Sequence, residues 1–274
     1  MVTNMSYTND KPLISVATAC YNSGKTIEKT IQSVLNQTYD NYEYWIIDGG
    51  STDNTLEIVN KYAKEFGDRL HIISEKDNGI YDAMNKGVKN SNGVMIGLLN
   101  SDDYYSENTL ELVAKRYLEE NYPYIIINGD MKKISKSGEE IYRYYFKQST
   151  VDNKEFFGHP SMFAAKAVYE KIGLYDEKYK LAADAEWQCR AYADPKVKRV
   201  LCPHVFNNMR EGGASDQLKY RWVWFREVKE IRLKYKMGSK FKIYMQGLAT
   251  VLRTDIKNIV PSKLQTGLYK IMYK

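Results

Sequence analysis

Between Lys11 and Tyr124, short apolar runs rich in β-branched residues alternate four times with longer segments of helical period, and this alternation most limits the folds open to the chain. The runs Leu13–Thr18, Tyr44–Asp48, His71–Ser74 and Val94–Leu99 are too short for ordinary helices, and several end in Asp, Asn or Gly. Between them, Lys25–Asn36 sets Ile27, Ile31, Val34 and Leu35 on one face, and Thr55–Phe66 does the same with Leu56, Val59 and Ala63. Further helices are expected over Ala83–Lys89 and Asn108–Glu120, the latter capped by Ser106. Strand followed by helix, repeated, predicts an α/β domain with a mostly parallel central sheet and ligands beyond the carboxyl ends of its strands.

After Tyr124 the rhythm is less regular. Ile125–Gly129 and Ile141–Phe146 read as strands, Val168–Ile172 as a short helix and Ala183–Ala193 as a longer one. Gly212 and Gly213 break the pattern as a loop, and from Leu218 the chain reads as two basic amphipathic helices divided near Gly238. The formal net charge of +6 hides an asymmetry: residues 219–274 hold 14 basic and 3 acidic side chains, so the preceding 218 residues are net negative. A 43% hydrophobic, 27% charged chain of 274 residues excludes disorder and fibrous repeats. Cys20, Cys189 and Cys202 fit no zinc or redox spacing, the polar start MVTNMSYTND is no secretory signal, and no run reaches the roughly 18 apolar residues of a membrane span. A reducing, cytoplasmic setting is therefore expected.

Four polar clusters directly follow the predicted strands. They are Thr18-Ala19-Cys20-Tyr21-Asn22, Asp48 through Asp53, Asp77 through Asn85, and Asn100-Ser101-Asp102-Asp103. Turn and capping chemistry accounts equally well for Ser51–Asp53 alone, but four clusters in register point to a ligand. Asp102 and Asp103 repel one another after a buried run, which favours an attached cation; hard oxygen ligands of this kind suit Mg²⁺ or Mn²⁺ shared with phosphate. Asp48 is placed to bond a ribose or uracil. Ser23-Gly24-Lys25-Thr26 resembles the end of a phosphate-binding P-loop, the mark of a nucleotide hydrolase, but Ala19 stands where that motif needs its first glycine.

The strings TACYN, QSVLNQTY, YWIIDGGSTDNT, DNGIYDAMNKG and GLLNSDD resemble the donor-binding half of glycosyltransferase family 2, whose members have the nucleotide-sugar-binding, Rossmann-like GT-A fold. GHPSMF and YDEKYKLAADAEW resemble its acceptor half, and the likeness runs from Pro12 to Ser215. It implies a flexible 1–11, a catalytic domain over 12–217 (donor half 12–105, acceptor half 106–217) and a basic helical extension over 218–274. By the same resemblance, Thr18, Ala19, Tyr21 and Asn22 belong to the first donor loop and Asp48 to the nucleoside site. Asn78, Gly79, Asp82 and Asn85 match the segment beneath sugar and diphosphate. Ser101 and Asp102 join the donor-binding residues, and Asp102 and Asp103 match the metal-binding acidic motif, with Asn100 at its first position, so that Asp102 becomes the main ligand for Mn²⁺ or Mg²⁺.

Asp184 matches the catalytic base of inverting members; the other readings are a helix N-terminal carboxylate, or Glu186 as base. The resemblance thus implies inverting, metal-dependent transfer of a hexose or N-acetylhexosamine from a nucleotide sugar, a UDP-sugar by expectation, to a glycan or lipid-linked glycan acceptor in surface polysaccharide assembly. Binding of the nucleotide sugar without turnover is the alternative. His159 reads as an acceptor or diphosphate contact or as a turn histidine, and Arg210 with Gly212 and Gly213 as a lid or a solvated loop. The tail is expected either to lie on anionic lipid at the inner face of the cytoplasmic membrane or to pack on the catalytic domain or a second subunit. No recognition motif supports nucleic-acid binding.

Overall fold

β1 (Ile14–Cys20) is covered on both faces, which is why it reads as an apolar run rather than an alternation. The computed structural model describes residues 11–135, 137–213 and 217–259. In it β1 lies between β2 (Tyr42–Asp48) and β4 (Met95–Leu98), both parallel to it, and β3 (Leu70–Ser74) runs parallel beside β2. The crossovers contain α1 (Ile27–Leu35), α2 (Thr55–Lys61), α3 (Ala63–Phe66) and α4 (Ile80–Asn90). Gly87 lets α4 lie close on β1, since a Cβ there would come within 2.7 Å of the Ala17 methyl.

Beyond β4 the chain adds β5 (Tyr104–Tyr105), α5 (Thr109–Glu120), β6 (Ile125–Ile134), β7 (Glu140–Tyr144), α6 (Gln148–Asp152), β8 (Met162–Ala165), α7 (Lys166–Ile172), α8 (Ala183–Ala193) and β9 (Lys198–Arg210). Strand order is β3-β2-β1-β4-β8-β6-β9-β5, with β7 also on β6. β8 runs antiparallel to both β4 and β6, and β9 parallel to β6. Six of the nine strands therefore point one way, and β5, β7 and β8 oppose them. The sheet is parallel over β3-β2-β1-β4, as the alternation predicts, and mixed beyond.

Several local expectations change. Thr55–Phe66 breaks at Tyr62 into α2 and α3, and α4 starts at Ile80 rather than Ala83. The residue capping α5 is Asn108, without a side-chain cap bond; Ser106 instead gives its carbonyl to the Thr109 amide. β5, β8 and β9 have no counterpart in the sequence reading. In β9 the pairing jumps from Gly129↔Cys202 to Asp130↔Val205, so Pro203 and His204 sit in a bulge, where a strand tolerates proline. Beside it, Gly129 leaves room for the Phe206 ring, which a Cβ would meet at 2.1 Å.

The basic segment forms α9 (Arg221–Lys234) and α10 (Lys240–Ile259), divided where Lys236 and Gly238 take positive φ. The expected boundary at 217/218 precedes a helix that is bound into the body. Val228 and Ile231 of α9 are buried in the main core. Glu227 accepts from the backbone amides of Lys180 at 2.8 Å, Leu181 at 2.8 Å and Ala182 at 3.0 Å, just before α8. From α8, buried Glu186 accepts from Lys234 at 3.0 Å and Tyr235 at 2.5 Å.

Two stability effects follow. Glu227→Ala leaves three amides without their acceptor and is expected to lower unfolding stability by about 1–3 kcal/mol, whereas Glu230→Ala on the exposed side changes little. Gly129→Ala is expected to cost about 1–3 kcal/mol through overpacking against Phe206. Urea unfolding with unchanged slope checks both.

Candidate active site

All six co-directed strands end at one edge of the sheet, and there the chain encloses a cavity of about 830 Å³. Ala19, Tyr21, Asn22 and Ser23 enter from the loop after β1, Asp77, Gly79 and Tyr81 from around the start of α4, and Asn100 through Asp103 from the loop after β4. His159 and Asp184 face it from the acceptor half, Arg210, Gly212 and Gly213 from the end of β9, and Trp224 and Val228 from α9. Ligands of open α/β sheets gather at this edge. Residues 214–216, which follow the expected lid, lie outside the described residues.

Of the expected site residues, Ala19, Tyr21, Asn22, Gly79, Ser101, Asp102, Asp103 and Asp184 line the cavity, while Thr18, Asp48, Asn78, Asp82 and Asn85 do not. Thr18 is buried and accepts from the Tyr44 hydroxyl at 3.1 Å. Asp48 is buried, and its carboxylate is occupied by the Ser51 hydroxyl and amide, the Ser74 hydroxyl at 2.7 Å and the Gly50 amide. It organises the turn instead of facing a ligand. Asp82 accepts from the Asn78 amide at 2.9 Å and pairs with Lys86. Asn85 exchanges both amide groups with the Tyr175 backbone, at 3.0 and 2.9 Å, and so ties α4 to the segment before α8.

The carboxylate that faces the cavity on this side is Asp77, which was not singled out from the sequence. A Cβ on Gly49 would lie 2.4 Å from an Asp77 carboxylate oxygen, so Asp77 fills the space that a side chain after Asp48 would take. The P-loop reading fails on its amides. Those of Asn22, Ser23 and Gly24 are spent on Ser51 Oγ at 2.8 Å, Thr55 Oγ1 at 2.8 Å and Asp53 Oδ2 at 3.0 Å, leaving no nest for phosphate.

In the acidic loop the two carboxylates differ. Asp103 is buried and accepts from the Arg210 amide at 3.0 Å and Asn100 Nδ2 at 3.3 Å. Burial and the adjacent Asp102 charge push it up to about 7. Asp102 lies against Gly213, and burial raises its pKa too, opposed by a hydrogen bond to its own backbone amide and by the nearby Arg210 and Lys133 charges. Among the described residues no three His, Cys, Asp or Glu side chains converge as a closed metal cage. A divalent ion that keeps its waters and takes phosphate oxygens needs only one or two carboxylates, and the donor chemistry of Asp102 suits it.

Asp184 stands in the first turn of α8 and accepts from the Tyr81 hydroxyl at 3.0 Å. His159 Nδ1 approaches its other oxygen at 3.4 Å, and His159 Nε2 lies 3.3 Å from Asn100 Oδ1. Burial alone would raise the Asp184 pKa, but the His159 contact and the Tyr81 hydroxyl together hold it below the usual carboxylate value, so it is ionised at neutral pH. Glu186 points away from the cavity into its ion pairs with Arg190 and Lys234 and cannot act as the base.

The sequence model of glycosyl transferase family 2 matches residues 15–173. A PGL/p-HBAD biosynthesis glycosyltransferase of Mycobacterium bovis (strain BCG / Pasteur 1173P2) is 31% identical over 209 residues, 76% of this chain and 80% of the relative. The hyaluronan synthase of Pasteurella multocida is 32% identical over 185 residues, 65% of this chain but 18% of that enzyme. Among solved structures, S. aureus TarS 1-349 in complex with UDP-GlcNAc superposes with TM-score 0.62 at 20% identity, over 92% of this chain and 77% of that one; against the longer TarS chain the coverage of the latter is 43%. The mannosyltransferase PcManGT of Pyrobaculum calidifontis, in complex with GDP-Man and Mn²⁺, gives TM-score 0.59 at 15% identity, over 95% and 79% of the two chains. The fold is thus GT-A, and the chain belongs to glycosyl transferase family 2.

Proposed function

We propose that this glycosyltransferase moves a hexose or N-acetylhexosamine from a UDP-sugar to a hydroxyl of a glycan or lipid-linked glycan acceptor, with inversion at the anomeric carbon. The observation that carries the reading is the placement of Asp184: an ionised carboxylate on the cavity wall, oriented by Tyr81 and His159, with Asp102 on the same cavity. Asp184 takes the proton from the acceptor hydroxyl as its oxygen attacks the anomeric carbon, and the bond from that carbon to the diphosphate breaks. The sugar passes through an oxocarbenium-like state. Asp102, with Asp103 behind it, is the residue that would hold Mn²⁺ or Mg²⁺, and such an ion stabilises charge on the leaving diphosphate. Asp77, which lines the cavity beside the loop after β1, is our candidate for the nucleoside contact first expected of Asp48. The donor choice takes support from the UDP-GlcNAc bound by TarS, and the metal from the Mn²⁺ bound by PcManGT.

Asp184→Asn is expected to reduce turnover by at least 10³-fold while donor binding stays within a few fold, since a general base of this kind contributes roughly 10²–10⁴. Isothermal titration with a UDP-sugar beside a transfer assay separates the two effects, and turnover near that of the unaltered enzyme would remove Asp184 from the mechanism. A thermal-shift screen of nucleotide sugars with and without Mn²⁺ tests the donor class. Stabilisation by UDP-sugars only when Mn²⁺ is present is expected, and Asp102→Asn should abolish the Mn²⁺-dependent part; no shift with any nucleotide sugar would contradict the proposal.

A further inference from the structure

We propose that the outer face of α10 docks on an anionic lipid surface. The helix turns its Ile243 and Val251 inward, where they are buried against α9 and its surroundings. Phe241, Met245, Leu248, Leu252 and Ile256 follow one another at helical spacing on the opposite side and are all exposed, Phe241 by 76% and Leu252 by 60%, while Tyr244 edges the row and touches Phe225 and Lys229 of α9. A stripe of five large apolar side chains in water is a surface that a soluble chain seldom leaves uncovered, and its length is that of an interfacial helix. Leu218 and Trp222 add exposed apolar surface at the start of α9, which an ion pair between Arg221 and Asp255 joins to the far part of α10.

Charge decides between lipid and a second copy of the chain. Residues 219–274 carry 14 basic and only 3 acidic side chains, and all three acids are engaged within the chain. Glu227 caps the amides before α8, Glu230 meets Tyr179 and Lys178, and Asp255 holds Arg221. Lys219, Lys240 and Lys242 stay exposed around the apolar stripe. Two such faces brought together would repel, whereas anionic headgroups attract both the cations and, beneath them, the apolar row. α9 lies between this face and the cavity, to which it gives Trp224 and Val228, so docking holds the acceptor side of the cavity one helix away from the lipid.

The full-length protein should float with vesicles containing 30% phosphatidylglycerol and stay unbound to pure phosphatidylcholine vesicles, with binding falling at least tenfold between 50 and 500 mM salt. Leu248→Glu combined with Leu252→Glu should weaken vesicle binding at least tenfold while the circular dichroism spectrum, melting temperature and donor-induced thermal shift remain unchanged. Equal flotation by that double variant would overturn the proposal, as would no flotation of the unaltered protein at low salt. So would a dimer in light scattering that the same two substitutions dissociate, since the stripe would then be covered by a second copy. Each of these results leaves the transfer reaction at Asp184 untouched.

Discussion

A buried carboxylate holds the catalytic edge together. Removing a charge from water costs several kcal/mol unless hydrogen bonds replace it, and Asp103 recovers part of that cost from the Arg210 amide at the end of β9 and from Asn100 in its own loop, the remainder showing as its raised pKa. The backbone of the same loop is pinned by the Thr30 hydroxyl of α1, which donates to the Asp103 carbonyl at 2.6 Å. One short segment therefore joins a helix of the first half, the end of a central strand and the last strand of the second half. With the loop fixed in this way, Asp102 is presented to the cavity, and Asn100 is left to face His159 and, through it, Asp184.

How far the sequence could be read depends on which physical signal each part produces. Strands covered on both faces leave apolar runs, so β1, β2 and β4 were visible, the half-exposed β3 showed by its short β-branched run, and helices with one buried face left their period. β9 was hidden because it carries Pro203 and His204 in a bulge and because Asn207 and Asn208 interrupt its apolar content. β8 has only four residues and β5 two, below the length at which alternation can be counted. The polar clusters fall at the cavity end of their strands, but spacing carries no information on the direction of a side chain. Asp48 turns into its own loop and Asp77 out into the cavity, a difference set by the hydroxyls of Ser51 and Ser74 that saturate the first. The inward half of the tail was likewise illegible, because Glu227 looks like a surface acid until the amides it caps are known.

The two terminal helices divide their work by side. α9 belongs energetically to the catalytic body: it supplies an anion to the amides before α8, a cation to Glu186 and two apolar residues to the cavity wall. α10 rests on α9 and turns a different chemistry outward. The net charge of the whole chain, mildly positive, averages over these opposed surfaces and describes neither.

The exchange between Gly49 and Asp77 changes what counts as one position in this protein. The two residues are 28 apart in the chain yet occupy a single volume, one by lacking a side chain and the other by extending its own into the vacancy. Negative charge at that place is thus a property of the pair. A side chain on the loop after β2 would displace the carboxylate that the loop before α4 turns into the cavity, so the two loops can change only together.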